Sequence, residues 1–566
     1  MYERQSVFAD IQDPLWPPTA VRPSAEAIER YRREGQWRAE HFLTDLHRHR
    51  RERPGEIAVI GYRADGTTET LSWSRYADQV EQFASALRAL GVGPGQVVAV
   101  QLPNWWETSA LILAVMRTGA VVAPVTAALR GRELEKVLAE LRVTVVVTVG
   151  EWYGYDYAGA LAEMAERLPH LRHRVVAGRD AGRGEMDFQD HFQRTPWAQQ
   201  YPMPLDEPVD PDQVALVLFT AGTTGEPKGV LHTSNTMSAA AGAIVGEERI
   251  SGSSEASYTP HSLTSILSIT VSLVSPLLSG SRAVLFDKWA PGRIAEIVAE
   301  ARVSIITAAA SFIDVIVRSA VAAGNDTSSL RYLFSEGAPI PPKLVREVYE
   351  ELGVPLRATY GMTELPIGTW TRPSDPPDWA AHSDGRPGPA VEIDLRADGE
   401  VSKANPAVLY VRGAGVCVAF VGLDTGAVEI LCDRDDGWLD TGDLVVPDGR
   451  GGIRHVGRVA DRIGDGFMIP VVDVEAQVLE HPAVAAVAIV GYFDAVGKET
   501  GCAVIVAAGP PPTLEQLRTY LTAQGMTEAY QPTRLEVVPV LPRNANGKVL
   551  KRELRWRVQE QFGHPV

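Results

Sequence analysis

Apolar residues recur along the first half of the chain in two alternating rhythms. Tyr76, Val80, Phe83, Ala84 and Leu87 fall on the 3.6-residue spacing of one helix face, with Ser74 as a cap before them and Gly91 as a stop after them. The unbroken apolar run 97–102 then predicts a buried strand. The unit repeats: helix 105–117 closed by Gly119, strand 120–125, helix 133–141, strand 143–149. Helices alternating with short buried strands predict an α/β fold whose large N-terminal domain is doubly wound around mostly parallel sheets.

Residues 179–212 are polar and rich in Gly and Pro, which predicts a surface excursion. Alternation resumes with the apolar strand 213–219, the helix 291–301 and the strand 303–308. A last module begins near Asp461, with strands at 487–491 and 502–506, a helix at 514–524 and a strand at 535–540. The expected division is therefore a large domain, 1–460, and a small α+β domain, 461–566.

Composition narrows the function classes. Over 566 residues, 45% hydrophobic content is that of a packed globular protein. A formal net charge of −17 argues against DNA or RNA as the main partner, because phosphate neutralisation needs a basic face. Three widely spaced cysteines, Cys417, Cys432 and Cys502, suggest neither a disulfide framework nor a zinc site. Residues 1–23 carry no apolar signal core, and the longest apolar stretch, 266–278, is interrupted by serines and Pro276 and falls short of the ~20 residues of a membrane span. The expectation is a soluble cytoplasmic protein with no membrane partner.

The densest chemistry lies in Thr220-Ala221-Gly222-Thr223-Thr224-Gly225-Glu226-Pro227-Lys228-Gly229, directly behind the strand 213–219. Backbone N–H groups of a glycine-rich turn, threonine hydroxyls and an ammonium together suit a polyphosphate. The spacing is not GxxxxGK[ST], since Glu226 and Pro227 separate Gly225 from Lys228. Further on come Ser335-Glu336-Gly337-Ala338-Pro339 and Ala358-Thr359-Tyr360-Gly361-Met362-Thr363-Glu364, then Thr441-Gly442-Asp443 and Gly457-Arg458-Val459-Ala460-Asp461, and near the end Pro542-Arg543-Asn544-Ala545-Asn546-Gly547-Lys548. Alone, each reads equally as a glycine turn or a solvated charged face. A carboxylate that accepts two hydroxyl hydrogen bonds, with a guanidinium nearby, is nevertheless the chemistry of a ribose clamp.

In this order, over about residues 43–555, the segments resemble the motifs of the adenylate-forming superfamily: acyl- and aryl-CoA synthetases, peptide-synthetase adenylation domains and luciferases. Among subfamilies, the leader 30–41, the stretch 102–107 and the Phe219-Thr220-Ala221 variant look most like cyclohexanecarboxylate- and medium-chain acyl-CoA ligases. The resemblance implies that Thr220, Gly222, Thr223, Thr224, Gly225 and Lys228 cradle the phosphates of ATP. It implies adenine between the Gly337-Ala338-Pro339 backbone and the Tyr360-Gly361 segment, Thr363 at the phosphate, and Glu364 holding Mg²⁺. Asp443 and Arg458 become ribose contacts, Asp461 the hinge, and Lys548 the catalytic lysine that bridges the attacking carboxylate and the α-phosphate. By motif order, His261, Ala309 and Ser335 border the acid pocket. The run Ala308-Ala309-Ala310-Ser311 reads either as room for a ring or as helix packing.

Four positions depart from the family pattern: Ala221 in place of Ser, Ser234 in place of His, Ala460 in place of a polar residue, and Gly464-Asp465-Gly466-Phe467-Met468-Ile469-Pro470 in place of the usual loop along the pantetheine path. The expected function is ATP- and Mg²⁺-dependent activation of a small carboxylic acid as its AMP anhydride, followed by transfer to CoA. The alternative is a secondary-metabolite enzyme that passes the activated group to an amine or carrier protein, or activates nitrite to diazotise an arylamine. A catalytically silent nucleotide-binding protein is disfavoured by the presence of Lys548, Glu364 and Asp443 together. The sequence leaves monomer or homodimer open.

Overall fold

The computed structural model describes residues 19–204, 208–221, 227–337, 340–403, 405–422, 427–431, 435–459, 463, 469, 471–494, 499–526, 528–544 and 547–562. Its scaffold is a mixed α/β fold around two large sheets whose central strands run parallel. In one, the order across the sheet is Arg386–Pro387, Leu365–Trp370, Leu356–Met362, Tyr332–Ser335, Ile305–Ala308, Ala256–Tyr258, Arg282–Phe286, Ile57–Tyr62, Thr68–Ser72. Its six inner strands pair in parallel and both margins antiparallel. The second sheet places Val214–Ala221 between Val121–Pro124, parallel, and Pro227–Thr233, antiparallel. Helices cover these sheets because their inner strands are apolar on both faces; Val97–Gln101 and Val145–Val149 are buried at every position.

A four-stranded antiparallel sheet, Glu392–Arg396, Ala407–Arg412, Leu439–Pro447 and Ile453–Arg458, follows the parallel sheets. Beyond it, Val484–Phe493, Glu499–Ala507 and Arg534–Val537 form a smaller sheet. That sheet has its own apolar packing, with Ile489, Ala503 and Ile505 against Leu517 and Leu521 of the helix Leu514–Ala523.

Most expected elements are present, with informative shifts. The helix expected behind Ser74 is Trp73–Ala89, and its cap is Ser72, whose hydroxyl accepts the Arg75 N–H at 3.3 Å. Residues 179–212 are not merely a surface excursion. The chain there makes a turn of π-helix, Gln189–Arg194, that buries Phe188 and Phe192 against Phe83, with ring centroids 5.6 and 5.5 Å away. Aromatic burial overrides the polar average of the segment. The apolar stretch near 266–278 folds as Ile266–Ile269, a π-helical Thr270–Val274 and Ser275–Ser279, ended by Gly280 at a left-handed φ of 73°. Among the described residues no helix is long and apolar enough to cross a membrane.

One backbone junction joins the first parallel sheet to the four-stranded sheet. Asp384 N–H donates to the Ile453 carbonyl at 2.8 Å, and Ile453 N–H donates back to the Gly385 carbonyl at 3.1 Å. Gly385 has φ +90°, and a Cβ there would lie 1.9 Å from the carbonyl carbon of Trp370. Only glycine fits. Gly385→Ala is expected to lower unfolding free energy by roughly 3 kcal/mol, read as a lower midpoint in urea denaturation; an unchanged midpoint would contradict the junction.

Candidate active site

Four chemistry-bearing segments emerge from the carboxyl ends of four neighbouring parallel strands. His261 follows Ala256–Tyr258, Ala309 follows Ile305–Ala308, Glu336 follows Tyr332–Ser335, and Tyr360 to Met362 end the strand Leu356–Met362. Register aligns the strand ends, with Ala308 beside Ser335 and Ser335 beside Ala358. Loops at this edge of a parallel sheet share one crevice, the usual location of ligands in open α/β folds.

Residues 360–364 connect two charged clusters in that crevice. At one end, the Tyr360 hydroxyl donates to Asp443 Oδ2 at 2.7 Å, and the Arg458 Nε lies 2.8 Å from Asp443 Oδ1. Asp443 and Arg458 face each other across the antiparallel pair Leu439–Pro447 and Ile453–Arg458, so the sheet itself sets their separation. His455 adds a ring nitrogen 3.4 Å from the same carboxylate. Burial alone would raise the Asp443 carboxyl, yet His455, Arg458 and the Tyr360 hydroxyl pull it down to about 2. Burial, together with the Asp443 charge, pushes the Tyr360 phenol well above its ordinary value.

At the other end, Lys228 Nζ lies 2.9 Å from Glu364 Oε1 and 3.8 Å above the Phe420 ring. Lys228 is brought there by Pro227–Thr233, whose register sets it opposite Thr220 on one side and Gly422 on the other. The backbone between the clusters is pinned twice. Cys417 N–H donates to the Glu364 carbonyl at 2.7 Å, and the buried His232 ring sits with Nε2 2.8 Å from the Thr363 carbonyl. Burial lowers His232 to about 4, so the neutral ring donates through Nε2–H, the tautomer a carbonyl partner selects.

On the acid side, His261 is buried, with Nε2 3.0 Å from Glu336 Oε1 and its ring 5.4 Å from Phe312. Asn104 fixes the segment by donating to the His261 carbonyl at 2.9 Å. Ala309 caps the helix Ala310–Ala323, so the alanine run is both strand end and helix start. The C-terminal lysine segment meets the same place: a Cβ at Gly547, the residue before Lys548, would lie 3.2 Å from Phe312 Cζ. Asn544 Oδ1 accepts the Lys548 N–H at 2.9 Å, and Asn544 N–H donates to the Lys548 carbonyl.

The structure thus brings Lys228, Thr363, Glu364, Tyr360, Gly361, Asp443 and Arg458 together, with His261, Ala309 and Ser335 beside them. Thr220 lies one residue before the end of the strand Val214–Ala221, paired with Lys228, and Gly337 follows Glu336 with φ +75°. Gly222, Thr223, Thr224, Gly225, Ala338, Pro339 and Asp461 lie outside the described residues, as does most of the departing loop 464–470. Ser234, where a His was expected, is buried at the start of the helix Ser234–Glu247 and accepts the Phe42 N–H at 3.1 Å. Sequence reasoning missed His232, His455, Cys417, Phe420 and Glu336. Only Glu336 carried a signal, a carboxylate set inside a glycine-alanine motif.

A buried carboxylate partnered by an ammonium fits a hard cation that shares its coordination with phosphates. Among the described residues no group of three or more His, Cys, Asp or Glu could hold a metal by itself. A single carboxylate such as Glu364 supplies too few oxygens for Mg²⁺ by itself, so further ligands such as phosphate or water oxygens would be required.

Residues 46–419 match the family described as AMP-binding enzyme, and residues 473–548 match the AMP-binding enzyme C-terminal domain. The chain belongs to the AMP-binding enzyme family. It is 30% identical over 555 residues to a salicylyl-CoA synthase / salicylate adenylyltransferase of a Streptomyces species, covering 94% of this chain and 96% of that protein. It is 29% identical over 541 residues to a salicyl-AMP ligase / salicyl-S-ArCP synthetase of Mycobacterium tuberculosis, covering 94% and 93%. Among solved structures, the amide bond synthetase McbA from Marinactinospora thermotolerans superposes with a TM-score of 0.74 at 26% identity, over 91% of this chain and 99% of that one.

Because the folded Asp443 carboxyl titrates near 2 and its ordinary value is 3.8, its charge stabilises the fold above pH 4, and that contribution is lost as pH falls toward 2. Asp443→Asn should therefore cost roughly 2 kcal/mol at pH 7 and progressively less between pH 4 and 2, measured by denaturant unfolding across that range. A cost independent of pH would contradict the assigned pairing.

Proposed function

We propose that this protein is an AMP-forming acid ligase. A carboxylate oxygen of the acid attacks the α-phosphorus of ATP, the bond to the β-phosphate bridge oxygen breaks, and pyrophosphate leaves. The acyl-adenylate then passes its acyl group to a CoA thiol, which loses its proton as AMP departs. The observation that carries this reading is the five-residue segment 360–364, with a hydroxyl-accepting carboxylate at one end and a lysine–carboxylate pair at the other. Tyr360 to Met362 end one strand, and Thr363 and Glu364 make the turn into the antiparallel strand Leu365–Trp370, so one short piece of backbone sets both clusters.

In this reading the Tyr360 ring and the Gly337-Ala338-Pro339 backbone hold adenine, while Asp443 accepts the ribose hydroxyls and Arg458 steadies that carboxylate. Lys228 turns from Glu364 to the polyphosphate, joined by Thr220, Gly222, Thr223, Thr224, Gly225 and Thr363. Glu364, so freed, would hold Mg²⁺, which would supply charge to neutralise the phosphates. Lys548 bridges the attacking carboxylate and the α-phosphate and offsets charge that grows in the transition state. The nearness of Gly547 to Phe312 supports this placement, because Gly547 precedes Lys548 and Phe312 packs on His261.

The division into 1–460 and 461–566, hinged at Asp461, belongs to the same proposal, with rotation exchanging adenylation for transfer. A second reading of the acceptor, an amine or carrier protein, is favoured by the split glycine pair Gly464-Asp465-Gly466 and by likeness to an amide bond synthetase.

Lys548→Ala is expected to slow pyrophosphate release by a hundredfold or more, an effect of the order seen when a transition-state charge partner is lost, while the KM for ATP stays within about threefold. Wild-type release by the variant would overturn the role. Running the wild-type assay with CoA, hydroxylamine or neither separates the acceptors: saturable dependence on CoA establishes the thioester reading, and acceleration by the amine alone replaces it.

A further inference from the structure

The mouth of the acid pocket holds a carboxylate that adenylation itself does not use. Glu336 is half-buried, with its side chain 21% exposed, and its Oε1 lies 3.0 Å from the Nε2 of His261. The same Nε2 lies 3.3 Å from the Ala309 N–H. A ring nitrogen carries one proton or one lone pair, so it serves one of these partners at a time. The shorter, charge-assisted contact assigns Nε2–H to donate to Glu336. This fixes the carboxylate in one orientation and leaves Oε2, which has no hydrogen-bond partner among the described residues, with its full acceptor capacity.

An apolar space lies close to that acceptor along the chain. An apolar cavity behind the strand ends is lined by Leu267, Val271, Thr307, Phe334, Thr359 and Ile367. Phe334, which lines this cavity, precedes Glu336 by two residues, and Thr307, which also lines it, precedes Ala309 by two. Glu336 thus directly follows the end of a strand, Tyr332–Ser335, that contributes Phe334 to the cavity wall. Through His261 it also neighbours Phe312, which packs on that ring and lies against Gly547, the residue before Lys548.

We infer that Glu336, oriented by His261, is the specificity-determining residue for the acid, and that it selects a carboxylic acid with an apolar body and an N–H or O–H donor close to its carboxyl. This inference rests on the adenylation reading. A plain acid placed here would set an apolar carbon against a partly desolvated carboxylate, leaving its oxygen unpaired. A substrate amine or hydroxyl supplies the missing donor. Sites that hydrogen-bond a substrate group reject the analogue lacking it far more strongly than apolar pockets reject a missing methylene.

The test measures pyrophosphate release as kcat/KM for matched acids: 2-aminobenzoate and 2-hydroxybenzoate against benzoate, and 3-hydroxyoctanoate against octanoate. The wild type should prefer the donor-bearing member of at least one pair by roughly tenfold or more. Glu336→Ala should bring that ratio to within about threefold, chiefly by changing the KM for the acid, with the KM for ATP unmoved. Glu336→Gln, which keeps a neutral acceptor and the shape, should fall between them and guards against a folding defect in the alanine variant. Equal wild-type use of both members of every pair, or a preference that survives both substitutions, overturns the inference while adenylation stands. Absence of pyrophosphate release with every acid overturns the adenylation reading, and the inference with it.

Discussion

The backbone of residues 360–364 is held at a fixed height above the carboxyl ends of the sheet, and the rest of the site depends on that constraint. His232 and Cys417 pin it through the Thr363 and Glu364 carbonyls, each from a different strand or turn of the second sheet's margin. With its carbonyls occupied, the segment can commit its side chains outward, Tyr360 to Asp443 and Glu364 to Lys228. Both partners come from sheets other than the one that carries the segment. The site is thus a junction of three sheets, and the Gly385 backbone exchange with Ile453 keeps two of them in register.

Charge pairing in this junction explains how a chain with a net charge of −17 can handle polyanions. In the proposed reading the positive groups are few and local, and two of them are already opposed by a carboxylate that would receive a ligand in exchange. Lys228 waits on Glu364, and Arg458 on Asp443. A buried ion pair stabilises little beyond a hydrophobic equivalent, but removing one partner is expensive. That asymmetry favours sites where an incoming ligand replaces the partner instead of leaving a vacancy, so nucleotide and metal binding would proceed by exchange of partners.

Much of this was legible in the sequence. The alternating 3.6-residue and unbroken apolar patterns located the parallel sheets to within a residue or two, because strands buried on both faces leave little ambiguity. The motifs singled out Lys228, Glu364, Tyr360, Asp443 and Arg458, residues that the fold brings into one crevice. What remained hidden was pairing across long separations. His232 reads as an isolated histidine until the fold brings Thr363, 131 positions away, to its ring. Phe420 beneath Lys228 is one apolar residue among many until the sheet is assembled. The burial of residues 188 and 192 was masked by polar neighbours, because composition averages over a segment and packing does not. Glu336 was visible, yet its meaning lay in His261, contributed by another strand.

The central claim, that one rigid segment reads a nucleotide at its ribose and at its polyphosphate, is tested most directly by calorimetric titration of AMP and ATP into Lys228→Met and Tyr360→Ala. The account predicts that Lys228→Met weakens ATP while leaving AMP affinity nearly unchanged, and that Tyr360→Ala weakens both by a similar factor. Equal losses of AMP and ATP affinity in Lys228→Met, or unaltered AMP binding in Tyr360→Ala, would contradict it.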